Sequence, residues 1–368
     1  MRVLVTGHDG YVGSVLMGVL HGAGHAPVGV DSFYFERCGL GKSPQVRGPV
    51  GWKIDVRDLV PAALAGFDAV VHLAALSNDP LGNLNPRLTH AINQQASIRL
   101  ASHTKSAGVS RFLFASSCSL YGSAGSQRMT EDAPLRPLTP YGTSKVVVEN
   151  ALTEMADDSF SPTFLRAPTA YGVSPKLRGD VVVNNLVGSA LTRGEVRLLS
   201  DGRSWRAVLH VEDLCRAFLA VLEAPRHLVH AQAFNVAPKG ENYQIRDVAE
   251  MVAEQVPGCR VTFAEGCGEP DLRSYRVDGA KLNSTLPSFT PRWTVPEGIN
   301  QLYSTLSRAD LTEEDFFGPR FIRLEHLRSL MATGHVDGEL RWNGRSRVGS
   351  VSPVPNKAEW ALASLPPM

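Results

Sequence analysis

Short apolar runs alternate, through the first half of the chain, with segments whose apolar positions recur at helical spacing. The runs fall at residues 2–6, 27–30, 53–55, 69–73, 112–116 and 163–166. Between them, Val12, Val15, Leu16, Val19 and Leu20 form one helical stripe, and a second begins near Tyr141. This alternation predicts an α/β fold, a doubly wound parallel sheet with helices on both faces and ligands held beyond the carboxyl ends of the strands. After about residue 170 the rhythm loosens into Gly- and Pro-containing turns at 172–179, at Gly202 and at 238–242, with helical patterns left at 181–192, 211–222 and 245–256. We expect residues 1–170, joined by returning segments near 205–240, to form the first domain, and 171–310 mainly to form a smaller α/β lid. Residues 316–330 read as one more helix in a C-terminal extension, 311–368, whose Ser- and Pro-rich tail from about Arg345 is expected to be mobile.

The first strand runs directly into Thr6-Gly7-His8-Asp9-Gly10-Tyr11-Val12-Gly13 and then a helical stripe. Glycines in that position allow a sharp turn, a close approach of backbone to a pyrophosphate and tight packing of helix on strand, while the N–H groups of the helix start hold the phosphates. A glycine triplet also occurs in ordinary turns; the strand before it and the helix behind it favour a dinucleotide site of the Rossmann type. Asp31 ends the second strand, where a carboxylate accepts the adenosine ribose hydroxyls and repels a 2'-phosphate, so NAD is favoured over NADP. A plain cap or turn is the alternative for Asp31, and Arg37 a few residues on softens the preference. Asp55 and Val56, at the end of the third run, are placed to meet the adenine amino group, with a turn residue the alternative.

Two later segments carry candidate chemistry. Ser116-Ser117-Cys118-Ser119-Leu120-Tyr121-Gly122 closes the fifth run, and a helix opens with Tyr141-Gly142-Thr143-Ser144-Lys145. Positions four apart share a helix face, so Tyr141 and Lys145 point the same way. A lysine cation beside a phenol favours phenolate and brings its pKa, near 10 when free, toward neutrality, which suits Tyr141 to proton transfer. Taken alone, the pair is also what a surface Tyr and a solvated Lys look like.

With those motifs in one order, residues 1–305 or so resemble the extended short-chain dehydrogenase/reductases, in particular their sugar-nucleotide epimerase and dehydratase family. The resemblance implies that Ser117 hydrogen-bonds the reacting hydroxyl, that Tyr141 moves its proton, and that Lys145 binds the nicotinamide ribose and tunes Tyr141. It implies that Leu73, Ala74 and Ala75 line the NAD site. The stretch Leu165-Arg166-Ala167-Pro168-Thr169-Ala170-Tyr171-Gly172 is similar to a family segment that carries asparagine where Thr169 stands. On the substrate side the resemblance points to Asn185, Arg206, Asp271 and Arg273 as a grip on a nucleotide diphosphate, and to Ser77 near the sugar. Arginine's planar fork suits phosphate, although exposed ion pairs are the alternative for each arginine by itself. It also implies a homodimer through the helices beginning near Pro86 and Tyr141.

Composition narrows this further. Lys plus Arg number 37 and Asp plus Glu 36, so no overall field favours nucleic acid or an anionic membrane, and phosphates must be caught by local groups. The five cysteines, Cys38, Cys118, Cys215, Cys259 and Cys267, have no paired spacing that suggests zinc or a redox disulfide, so no metal is expected. No apolar run approaches the roughly 20 residues of a membrane span, and no cleavable leader is evident after Met1; a cytoplasmic, soluble protein is the expectation. Where the family's dehydratases carry an Asp-Glu pair and its decarboxylases a Glu, this chain has Cys118 and Ser119. The resulting expectation is NAD-dependent epimerisation of a nucleotide sugar at C4 through a 4-keto intermediate. Alternatives are an NAD(P)H-dependent 4-keto-sugar reductase, a 3,5-epimerase using Cys118 as acid or base, and a cofactor-binding protein without catalysis.

Overall fold

The computed structural model describes residues 1–40, 51–125, 127–264 and 274–343; Asp271, Arg273, Cys267 and the tail from Arg345 lie outside the described residues. Strands β1 (Arg2–Thr6), β2 (Ala26–Asp31), β3 (Gly51–Lys53), β4 (Ala69–His72) and β5 (Arg111–Ser117) join the strands Ser161–Ala167 and Gln232–Asn235 in one seven-stranded sheet. Its order is Gln232–Asn235, Ser161–Ala167, β5, β4, β1, β2, β3, and every pairing is parallel. The chain moves one way from β1 to β3, then returns to the far side of β1 with β4. The order therefore reverses between β1 and β4, the point at which such sheets open a crevice.

Alternation along the strands builds two cores. Val3, Val5 and Val71 face the helices Tyr11–Gly22 and Val211–Glu223 with Leu16, Leu20, Phe218 and Leu222. Leu4, Val70, Phe112 and Phe114 face the opposite layer with Leu100, Val148 and Leu152. The helix Val211–Glu223 and the strand Gln232–Asn235 thus belong to the large sheet although they follow residue 170. A third core joins the helices Val182–Arg193, Ile245–Gln255 and Val295–Ser307 through Val183, Val187, Val252, Ile299 and Leu302.

Two expectations change. The third strand ends at Lys53, and Asp55 instead caps a short 3-10 turn, Val56–Asp58. The single helix expected at 316–330 is two, Glu313–Phe317 and Arg323–Ala332. Gly318 and Pro319 part them, proline lacking the N–H a helix interior needs. The break lets Phe316 turn into the third core, where a Cβ on Gly188 would lie 2.0 Å from its ring. No helix among the described residues is long and apolar enough to cross a membrane.

Candidate functional site

A cavity of about 850 Å³ opens over the carboxyl ends of β1, β2, β4 and β5, at the upper end of what one small-ligand site occupies. Its floor is the glycine turn. Gly7 has φ +75°, and a Cβ there would come within 2.8 Å of the Ala74 nitrogen; one on Gly13 would fall 2.1 Å from the Gly7 carbonyl. Only glycine fits either place, and the helix Tyr11–Gly22 starts from Gly10 with no side chain capping its first N–H groups. Bare N–H groups at a helix start facing a cavity suit a pyrophosphate.

Gly7, Gly10, Tyr11, Val12, Gly13, Asp31, Asp55, Val56, Leu73, Ala74 and Ala75 all line this cavity. The Asp31 carboxylate is fixed by two backbone N–H donors, Asp9 at 3.0 Å and Phe33 at 2.8 Å. Burial raises its pKa and those donors lower it. An acid so held fits a ribose diol and rejects a 2'-phosphate. Tyr11 spans to the lid, its hydroxyl donating to the Gly172 carbonyl at 2.7 Å.

Two side chains expected at the cofactor are engaged elsewhere. Asp9 pairs with Lys176 at 3.0 Å and is not part of the cavity wall; what it offers the site is its backbone N–H to Asp31. Asp55 accepts from the backbone N–H, Nε and a terminal nitrogen of Arg57, and Arg341 lies 3.4 Å from the same carboxylate. A carboxylate so held has little accepting capacity left for an adenine amino group. Asp9 is taken by a cation from a distant part of the chain, Asp55 by one two residues on.

The candidate catalytic residues lie at the close of β5 and on the helix that follows. Ser117 accepts from the Ser119 backbone N–H at 3.1 Å, and its hydroxyl donates to the Ser119 hydroxyl at 3.1 Å. The helix Pro140–Met155 is capped by Thr139, which accepts from the Gly142 N–H, and brings Tyr141 into hydrogen-bonding contact with Ser117. The turn Asp79–Gly82 approaches the start of this helix closely, since a Cβ on Gly82 would lie 2.9 Å from the Tyr141 Cβ. Burial pushes the Tyr141 phenol up to about 12, against the lowering hydrogen bond from Ser117. Lys145 is one turn on; its Nζ donates to the Ala115 carbonyl at 2.7 Å and sits 5.6 Å from the Tyr141 ring centre. Burial takes its pKa down to about 7. Desolvation thus dominates both groups here, where helical spacing alone predicts a lowered phenol.

Lys145 carries a consequence for stability. Its folded pKa, about 7, lies below the ordinary 10.5, so between those values the unfolded chain binds more protons and stability rises with pH. The expected result is a wild-type melting temperature that climbs from pH 7 to pH 9 relative to that of Lys145→Met; parallel melting curves across that range would disprove the assignment.

Cys118 is fully buried and absent from the cavity wall, its thiol donating to the Arg166 carbonyl at 3.3 Å while burial pushes its pKa up. Such a thiol is a packing group. Ser77, Thr169, Asn185 and Arg206 do line the cavity. Ser77 accepts from Arg178 at 3.1 Å, Asn185 donates to the Gly179 carbonyl at 2.8 Å, and Arg206 donates to the Trp205 carbonyl at 2.8 Å and lies 5.8 Å from the Tyr275 ring centre.

Sequence reasoning missed Arg178 and Asp180, both on the cavity wall and bound to each other at 2.7 and 3.0 Å. It also missed Tyr275, Ser119 and Arg323, which share that wall. The available signal was the charged sequence Lys176-Leu177-Arg178-Gly179-Asp180 in a segment otherwise made of turns.

Residues 3–237 match the NAD dependent epimerase/dehydratase family. Over 272 residues the chain is 29% identical to the UDP-glucose 4-epimerase of Corynebacterium glutamicum, covering 69% of this chain and 80% of that protein. Among solved structures, MoeE5 in complex with UDP-glucose and NAD is 31% identical with a TM-score of 0.71, covering 84% of this chain and 99% of that one. The NAD dependent-NDP-hexosamine 5,6-dehydratase TunA has a TM-score of 0.74 at 24% identity, over 84% of this chain and 99% of that one, and bears on the fold alone. Running from the first strand of the large sheet through its last, the family match makes this chain a member of the NAD dependent epimerase/dehydratase family.

Proposed function

We propose that the protein epimerises a nucleotide-activated sugar at C4, with Ser117, Tyr141 and Lys145 as its catalytic residues and residues 171–310 forming most of the sugar-nucleotide side. The observation that carries this reading is the company Ser117 and Tyr141 keep. Each carboxylate on the cavity wall among the described residues, Asp31, Asp55, Asp79 and Asp180, already accepts hydrogen bonds, and Ser119 stands where an acid that drives water loss belongs. Without such an acid, oxidation and re-reduction at one carbon is the simplest outcome.

Ser117 orients the substrate hydroxyl, and Tyr141 takes its proton and later returns it. Lys145, when protonated, places its charge beside both and offers its remaining N–H donors to the nicotinamide ribose. Bound NAD supplies the acceptor of the hydride and, once the keto sugar has turned over, its donor, so no net oxidation occurs. The cavity extends from Tyr141 to Arg206 and Tyr275, which gives a nucleotide diphosphate a cation and an aromatic wall. Asp271 and Arg273 are proposed to complete that grip. MoeE5, 30% identical in its complex with UDP-glucuronic acid and NAD, makes UDP-hexoses and UDP-hexuronates the first substrates to try. A homodimer through the helical stretch that begins at Pro86 and runs on to Ser106 and the helix Pro140–Met155 is part of the proposal, to be checked by sedimentation.

The test is to incubate purified protein, with no added cofactor, with UDP-, dTDP-, GDP- and CDP-sugars and follow products by chromatography and NMR. A mixture of C4 epimers is the expected result. Product formed only from a keto sugar with added NAD(P)H would replace the proposal by a reductase, and nucleotide binding without turnover by a cofactor-binding protein.

A further inference from the structure

The chain continues past the family match, which ends at residue 237, and its last described part returns to the cofactor cavity. The Trp342 indole donates to the Ser32 carbonyl at 2.7 Å, a His326 ring nitrogen lies 2.8 Å from the Tyr34 carbonyl, and the Tyr34 hydroxyl donates to the Leu340 carbonyl. Ser32 and Tyr34 belong to the cavity wall beside Asp31. The extension thus backs the side of the cavity that follows β2, away from Arg206 and Tyr275.

Arg323, the first residue of the helix Arg323–Ala332, itself reaches that wall. It is 2% exposed, stacks at 4.4 Å on the Phe35 ring and donates to the Lys176 carbonyl at 2.8 Å, while its other terminal nitrogen is buried with no hydrogen-bond partner. Its cationic neighbours are neutralised: Lys176 by Asp9 and Arg178 by Asp180. No carboxylate among the described residues forms an ion pair with Arg323. A guanidinium does not shed its proton in a protein, so it cannot escape the cost of burial by becoming neutral. The Cys38 thiol and the Asp180 charge act on it without closing an ion pair, so an anion in the cavity would complete its pairing.

Its surroundings say which anion. Lys176, whose carbonyl Arg323 holds, clasps Asp9 inside the glycine turn. The next residues of that loop connect to the tip of the Tyr11 side chain, because Asn184 donates both to the Arg178 carbonyl at 2.9 Å and to the Tyr11 hydroxyl at 3.3 Å. Arg323 is therefore linked through Lys176 to the glycine turn, and it shares the cavity wall with Gly10 and Tyr11.

We propose that Arg323 is a cofactor-binding residue contributed by the C-terminal extension, its guanidinium pairing with a phosphate oxygen of the dinucleotide held at that helix start. The extension then acts as a clasp on the cofactor, which suits an enzyme that must return hydride to the carbon it was taken from. This inference depends on NAD as the cofactor and not on which sugar is turned over.

The experiment compares the wild type with Arg323→Gln and Arg323→Lys, and with Arg328→Gln, an exposed arginine of the same helix paired with Glu325 among the described residues, as control. NAD retained per protomer after gel filtration is measured by nucleotide chromatography, and titration calorimetry on cofactor-stripped protein gives affinities for NAD, adenosine and UDP. Arg323→Gln is expected to weaken NAD by about tenfold to a hundredfold, the worth of a charged hydrogen bond, and to leave adenosine and UDP unchanged. Arg323→Lys, which keeps the charge, is expected to recover part of the loss. Unchanged NAD affinity overturns the proposal. So does a loss for UDP alone, which would assign the arginine to the substrate diphosphate, or an equal loss for all three ligands, which would report a structural role. Should Arg323→Gln not fold, the lysine variant decides by the same comparison of NAD with adenosine.

Discussion

Replacing Tyr141 by Phe is expected to lower turnover by on the order of 10²- to 10⁴-fold, the usual worth of a positioned proton-transfer group, while the protein still copurifies with NAD. The Tyr141 backbone and Cβ pack against the turn at Gly82, and phenylalanine keeps both, so the variant loses the hydroxyl and little else. With the phenol pushed up to about 12, its proton stays on at neutral pH, and making phenolate rests on groups around it: the hydrogen bond from Ser117 and the nearby Lys145. Lys145→Met should accordingly lower kcat as well. Turnover of Tyr141→Phe near that of the wild type would show that another group moves the proton; loss of turnover together with loss of NAD would point to a collapsed site instead.

The second large effect concerns stability. Arg166→Leu should cost about 3–5 kcal/mol, the range for breaking a buried ion pair on one side, measured as the shift in urea unfolding of the cofactor-free protein. Arg166, on the strand Ser161–Ala167, meets Glu149 of the helix Pro140–Met155 through Nε at 3.1 and 3.2 Å and a terminal nitrogen at 2.7 Å, with both side chains about 5% exposed. Its other terminal nitrogen donates to the Tyr121 hydroxyl at 3.0 Å and the Glu131 carbonyl at 2.8 Å, and Tyr121 passes the network on to Asn235 at 2.7 Å. Removal of the cation leaves a carboxylate without its partner in the layer that aligns Tyr141 and Lys145 with β5. The double variant Arg166→Leu, Glu149→Leu should regain much of the loss, because no lone charge then remains buried. A single variant within 1 kcal/mol of wild type, or a double variant less stable than the single, would mean that packing and not the ion pair holds this layer.

Much of the fold was legible in the sequence for a local reason. A strand, a glycine turn and a helical stripe are each specified within about a dozen residues, so β1, the turn from Gly7 to Gly13 and the helix Tyr11–Gly22 follow from neighbours in the chain. The same holds for Tyr141 and Lys145, one helical turn apart, and for the strand end at Ser117. What the sequence left open is which charge meets which. Asp9 lies in the glycine turn and Asp55 follows the third run; the structure pairs them with Lys176 and Arg57, and Asp55 stays on the cavity wall.

By itself, then, the sequence determined the doubly wound sheet and the place of its crevice, carried by short-range periodicity and turn chemistry, while Ser117, Tyr141 and Lys145 were singled out as candidates by their motifs and the family resemblance. Only the tertiary structure decided the electrostatics of the cavity and the reach of the extension. Tyr34 bonds to Leu340 and Arg57 to Glu339 across more than 280 residues of chain. Burial sets the Tyr141 and Lys145 proton affinities against the direction that helical spacing suggests. Desolvation and long-range ion pairing depend on what the whole chain packs around a group, and no local pattern encodes that.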